Sequence, residues 1–140
     1  MPGEPTTVVP RRRMADALER IDKIADARGL KCVNVFHAGD GNLHPLIAYA
    51  RDEAHKVEEA GREIARACVE MGGSLTGEHG IGVEKRDFMP LLFDEPSLEA
   101  MERVRVAFDP QRLLNPGKVL PGPKVCAEAI LRKEAERVVG

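Results

Sequence analysis

Apolar residues return every three or four positions over much of this chain, the interval at which one face of a helix recurs. Met14, Leu18, Ile21 and Ala25 predict an amphipathic helix to about Ala27, with Gly29 placed to cap it. Val57, Ala60, Ile64, Ala67, Cys68 and Met71 predict a longer one from about Glu53, ended by Gly72-Gly73. Between them the period drops to two. Cys32, Asn34 and Phe36 alternate with Val33, Val35 and His37, predicting a strand over about 31–38. A second, apolar strand follows over about 42–49, in which Pro45 is best tolerated at a sheet edge. Further on, residues 83–92 read as helical. Ser97, preceded by Pro96, reads as the cap of a helix with Leu98, Met101, Val104 and Phe108 inward, stopped by Asp109-Pro110. Helices around one hairpin predict an α+β fold, a small antiparallel sheet packed with helices.

The ends are less patterned. Residues 1–10 carry three prolines and read as a tail or the remnant of a strand at Thr7-Val8-Val9. Arg11 to Arg13 read as the solvated start of a helix, with a phosphate or partner site as the alternative. From about Lys124 the chain is helical by propensity, with Val125, Ala129 and Ile130 as a weak stripe.

Asp40-Gly41 between the two strands is a strong tight-turn signal. Centring a two-residue turn there predicts pairs whose numbers sum to 81, with Ala38 facing Leu43 and His37 facing His44. Directly opposed side chains hold their Cβ atoms about 4.5–5.5 Å apart, close enough for two imidazoles to share a cation. Asn42 and Asp40 read as turn-fixing residues. Two solvated histidines on a structural hairpin are the plain alternative.

A second segment, Gly72-Gly73-Ser74-Leu75-Thr76-Gly77-Glu78-His79-Gly80-Ile81-Gly82, is too rich in glycine for a packed strand or helix interior. It reads as a loop that bends sharply or approaches something closely. Glu78 would complete a His37, His44, Glu78 metal set with open coordination positions, leaving His79 free for proton transfer. A glycine-rich connector is the bland alternative. His55 lies among charged residues and reads as a surface group. Lys85 could reach the loop or a cofactor phosphate, with a solvated helix face the plainer reading.

Composition narrows the classes. Lys and Arg total 21 against 23 Asp and Glu, so no strong field points to nucleic acid or an anionic membrane. Only 4% of residues are aromatic and none is Trp, poor material for stacking on bases. Cys32, Cys68 and Cys126 form no C-x-x-C pair, which fits a reducing cytoplasm. With no apolar signal core and no long apolar run, a soluble chain that is not exported is expected.

HAGDGNLHP, then GGSLTGEHGIG, then FDPQRLLNPGKVLP resemble the C-terminal region of the FAD-linked 2-hydroxyacid dehydrogenases, over about Val8 to Pro121. That group includes the FAD-linked subunit of glycolate oxidase and D-lactate dehydrogenase. The resemblance implies part of a ferredoxin-like cap over residues 11–121, the C-terminal half of a cap or substrate domain, with 122–140 a helical tail. It implies a divalent metal (zinc, manganese or iron) on His37, His44 and Glu78, and His79 as catalytic base. Glu78 and His79 would bind substrate, and Asn115 would lie near the flavin.

The implied reaction is oxidation of glycolate or D-lactate to the 2-oxo acid, with FAD held mainly by a separate N-terminal domain. The expected partners are that domain or other oxidase subunits, with no nucleic acid. Self-association at an exposed sheet edge is a further expectation, as is peripheral placement at the inner membrane through an electron-acceptor complex. The chain alone is expected to bind little FAD and to show no turnover. A metal-dependent hydrolase and a non-catalytic interface module stand as the alternatives.

Overall fold

The computed structural model describes residues 6–122 and divides the chain after Gly80 into two compact units. The tail helix expected beyond Gly122, and Cys126 with it, lie outside the described residues. The first unit runs β1 (Thr7–Val8), α1 (Met14–Asp26), β2 (Lys31–His37), β3 (Asn42–Ala48) and α2 (Ala54–Glu70). An α+β fold with one small antiparallel sheet is what these elements make.

Both long helices follow their apolar spacing. α1 buries Ala17, Ile21, Ile24 and Ala25, with Met14 and Leu18 partly covered. α2 buries Val57, Ala60, Ile64, Ala67 and Cys68 as expected, and also Gly61 and Ala65. These faces close on Leu43 and Ile47 of β3, so the helices and one face of the sheet share a single core. Burying chains of this kind is worth about 1.5–3 kcal/mol each.

The sheet is ordered β1-β3-β2 and all its pairings are antiparallel. Pro45 therefore lies on the central strand, not on an outer one. β1 reaches only Leu43 and Asn42, so at Pro45 the strand has β2 alone as neighbour, and the missing N–H deprives no second ladder. The free side of β1 carries a bridge from Val8 to Ser74, where the glycine-rich loop leaves α2.

The hairpin register differs from the tight-turn expectation. Its pairs sum to 79: His37 faces Asn42, Val35 faces His44 and Val33 faces Leu46. The cause is the loop. His37 O accepts from both Asp40 N (3.1 Å) and Gly41 N (3.0 Å), a helical-type turn that holds four residues outside the ladder. Only Gly41 takes positive φ, at 76°, where a tight two-residue turn would need it at Asp40 too. A side chain at Gly41 would also meet Val9 O at 2.0 Å. The shift is two residues, an even number, so every side chain keeps the face it was expected to have.

The second unit holds α3 (Met89–Leu92), α4 (Glu95–Phe108) and the loop that follows. No continuous helix spans 83–92. Pro90 has no N–H to offer a carbonyl one turn back, so a 3-10 turn at Arg86–Phe88 gives way to a new helix in which it is first-turn residue. For α4 the cap is Asp94 and not Ser97: its carboxylate accepts from Ser97 N at 3.0 Å, with Pro96 in the first turn. Of the four residues expected inward, Leu98 is buried and Met101 half-buried, whereas Val104 and Phe108 are 60% and 84% exposed. Within this unit nothing described covers that end of the helix. Lys85, expected on a solvated face, is buried, and burial lowers its ammonium pKa.

The loop after α4 is held from both sides. Asp109 accepts from Leu113 N (2.9 Å) and Leu114 N (2.8 Å), which hold its carboxyl below the usual range. Arg105 donates to the carbonyls of Leu114, Asn115 and Lys118.

Candidate functional site

The residues of interest in the first unit meet where the end of the hairpin comes against the glycine-rich loop. His37 ends β2, and His44 stands on β3 on the same sheet face. They are diagonal neighbours, not opposed, and long side chains bridge that offset. Their rings lie 5.3 Å apart, edge to face at 90°.

Three ties hold the loop that carries Glu78. At its base, Ser74 N donates to Val8 O (2.9 Å) and Val8 N to Ser74 O (3.2 Å), while the Thr7 hydroxyl donates to Ser74 O (2.6 Å). Further along, Gly77 lies so close to Asn42 that a side chain there would meet Asn42 Oδ1 at 2.7 Å. Across the tip, Gly80 N donates to the Thr76 hydroxyl at 2.9 Å. The glycines are thus sites of close approach as much as of bending.

These ties bring Glu78 Oε1 to 3.3 Å from His44 Nε2 and 3.2 Å from His79 Nε2. One ligand atom from each of His37, His44 and Glu78 lies within 4.8 Å of the others. His79 stands beside this set, its ring 5.2 Å from that of His44. Its other nitrogen, Nδ1, is 3.3 Å from the hydroxyl of Thr6. The side chain of His44 is 12% exposed, whereas Glu78 and His79 are about half exposed, so the cluster is closed on the sheet side and open on the other.

The donor set suits a divalent cation. His44 Nε2 is buried and makes no hydrogen bond, although a carboxylate oxygen stands 3.3 Å away. Either a proton on Nε2 or a cation bound by both atoms reconciles the pair, and the open side of the cluster leaves room for the cation. The same spacing is close to the ~3.4 Å that separates two ligands of a tetrahedral ion with bonds of about 2.0–2.1 Å. Two imidazoles and a carboxylate are a borderline nitrogen and oxygen set that takes zinc, manganese or iron.

Other residues fall elsewhere. His55 is exposed on α2, as the sequence indicated. Asn42 does not fix the turn through its side chain: it is 4% exposed, its Oδ1 lacks a hydrogen bond, and it packs where the loop passes at Gly77. Asn115 belongs to the second unit, exposed, with φ of 45°, and accepts from Lys118 Nζ at 3.3 Å. Thr6 was missed. It sits in the aperiodic first ten residues, where no spacing or motif signals a role.

Residues 4–119 match the family model of the FAD linked oxidases, C-terminal domain. The glycolate oxidase subunit GlcD of Escherichia coli strain K12 is 46% identical over 123 residues, covering 86% of this chain and 25% of that protein. The GlcD subunit of Bacillus subtilis strain 168 is 38% identical over 124 residues, covering 83% and 26%. The mitochondrial cytochrome D-lactate dehydrogenase of Arabidopsis thaliana is 33% identical over 121 residues, covering 84% and 21%. The chain spans about a quarter of the length of these relatives.

Proposed function

This chain belongs to the family of FAD-linked oxidase C-terminal domains, and from that premise we propose that it is the substrate-binding part of a 2-hydroxyacid dehydrogenase acting on glycolate or D-lactate. The observation that carries the reading is the convergence of His37, His44 and Glu78 beside His79.

His37, His44 and Glu78 would hold a divalent cation. Such an ion supplies Lewis acidity, lowering the pKa of a substrate hydroxyl and fixing its carboxylate. The chain's own contribution is then orientation and proton transfer. With His79 Nδ1–H donating to the Thr6 hydroxyl, Nε2 faces the cluster with its lone pair free, and in that tautomer Nε2 is the atom that accepts the hydroxyl proton. Loss of that proton from the hydroxyl oxygen and of a hydride from the carbinol carbon to the acceptor forms the carbonyl of the 2-oxo acid. Glu78 touches both imidazoles and so ties the ion-binding and proton-accepting groups into one unit.

Family membership implies FAD as the hydride acceptor. Asn115 offers one exposed amide, too little to hold a dinucleotide.

Cobalt(II) reports on the site through its visible absorption. The full chain should take up one equivalent, with affinity falling at least tenfold in His44→Ala and in Glu78→Gln and holding in His79→Ala. A chain that takes up no cobalt, or binds it equally well without His44 and Glu78, overturns the reading.

A further inference from the structure

The sheet face that bears the two histidines continues away from them as an apolar strip. The pair next along from Val35–His44 is Val33–Leu46, and the pair after that is Lys31–Ala48. Val33 is 64% exposed, Val35 49% and Leu46 39%, whereas on the opposite face Leu43 and Ile47 are buried in the helix core and Phe36, near the hairpin end, is 44% exposed. Successive same-face pairs are about 6.6 Å apart, so Lys31 stands about 13 Å from the His44 pair. Anything held at the histidines by its hydroxyl and carboxylate and reaching along these strands lies over Val35, then over Val33 and Leu46, before it meets a cation of the strip.

We infer that Val33, Val35 and Leu46 form the subsite for the side chain of the 2-hydroxy acid, selecting short uncharged chains and rejecting dicarboxylates. This rests on the proposed metal-anchored binding of the acid. Each methylene laid on the strip leaves water and tightens binding by about fourfold, equivalent to about 0.8 kcal/mol. A second carboxylate two or three carbons along comes to rest on Val33 and Leu46, short of Lys31. There it lies against apolar side chains that carry no hydrogen-bond donor of their own.

The test uses the full chain loaded with cobalt(II), titrated calorimetrically with glycolate, D-lactate, D-2-hydroxybutyrate and D-2-hydroxyglutarate. Affinity should rise from glycolate to hydroxybutyrate by about fourfold per carbon, with hydroxyglutarate at least tenfold weaker than hydroxybutyrate. Methyl resonances of Val33, Val35 and Leu46 should shift with hydroxybutyrate and hardly at all with glycolate. Leu46→Lys should reverse the order in favour of hydroxyglutarate. Val33→Lys, at a position already mostly in solvent, should do the same and covers the case of a misfolded Leu46 variant. Acids that bind with no dependence on chain length, hydroxyglutarate binding best to the unaltered chain, or still methyls would overturn the subsite and leave the metal reading standing. Failure to take up cobalt would overturn that reading and the subsite together.

Discussion

Gly73→Ala tests whether the candidate site depends on how the glycine-rich loop is fastened. The residue follows α2, and an alanine Cβ there would lie 2.1 Å from Val8 O and 2.7 Å from Cys68 O. Both are backbone atoms, and ordinary contact begins near 3.4 Å, so the chain must give by more than an ångström. The hydrogen bonds at stake are Gly73 N to Cys68 O (2.9 Å) and the two between Val8 and Ser74. At about 0.5–1.5 kcal/mol net for each, losing most of them costs about 2–4 kcal/mol. For a unit of this size about 1 kcal/mol moves the midpoint by roughly 4–8 °C. A fall of at least about 8 °C is expected in a calorimetric scan, together with weaker cobalt(II) uptake, because Glu78 hangs from this joint. An alanine variant melting within about 2 °C of the parent, with unchanged uptake, would refute the reasoning.

Other outcomes follow from single contacts. Ile64→Ala, at a fully buried position in the shared core, should cost about 2–5 kcal/mol in urea denaturation. Asp109 has its pKa lowered by the Leu114 and Leu113 amides; its stabilisation is complete above the usual carboxylate value and lost as pH falls through the lowered one. Asp109→Asn should therefore flatten the acid limb of the stability profile of the second unit, read from methyl and amide NMR signals of residues after Gly80 between pH 5 and about 2. His55→Ala should change neither cobalt uptake nor melting, since that histidine is exposed and stands apart from the other three.

Much of the arrangement could be read before any coordinates. The spacing of Ile21 and Ala25, and of Val57, Ala60 and Ile64, marked the faces that are in fact buried. Helical spacing is dictated by the need to bury one stripe, and it survives errors of a residue at either end. Position 42–44 shows the limit. Asp-Gly marks a reversal, but whether the strands close at residue 38 or 37 depends on dihedral angles at four residues and on Val9 lying across Gly41. Val104 and Phe108 show another. Their spacing marks an apolar face, yet spacing says nothing of what covers it, and within the second unit they are exposed.

The sequence by itself determined which side chains could bind an ion or carry a proton, and the alternation of the strands put His37 and His44 on one face. Only the tertiary structure decided that Glu78 and His79 join them. Residues more than thirty positions apart come together through contacts that leave no local period: Ser74 bonded to Val8, Gly77 against Asn42, and Thr6 beneath His79. Local patterns report what each segment must bury, whereas the meeting of two loops is fixed by contacts between distant segments, backbone to backbone at Ser74, backbone to side chain at Gly77 and side chain to side chain at Thr6. Glycine permits that approach without specifying the partner.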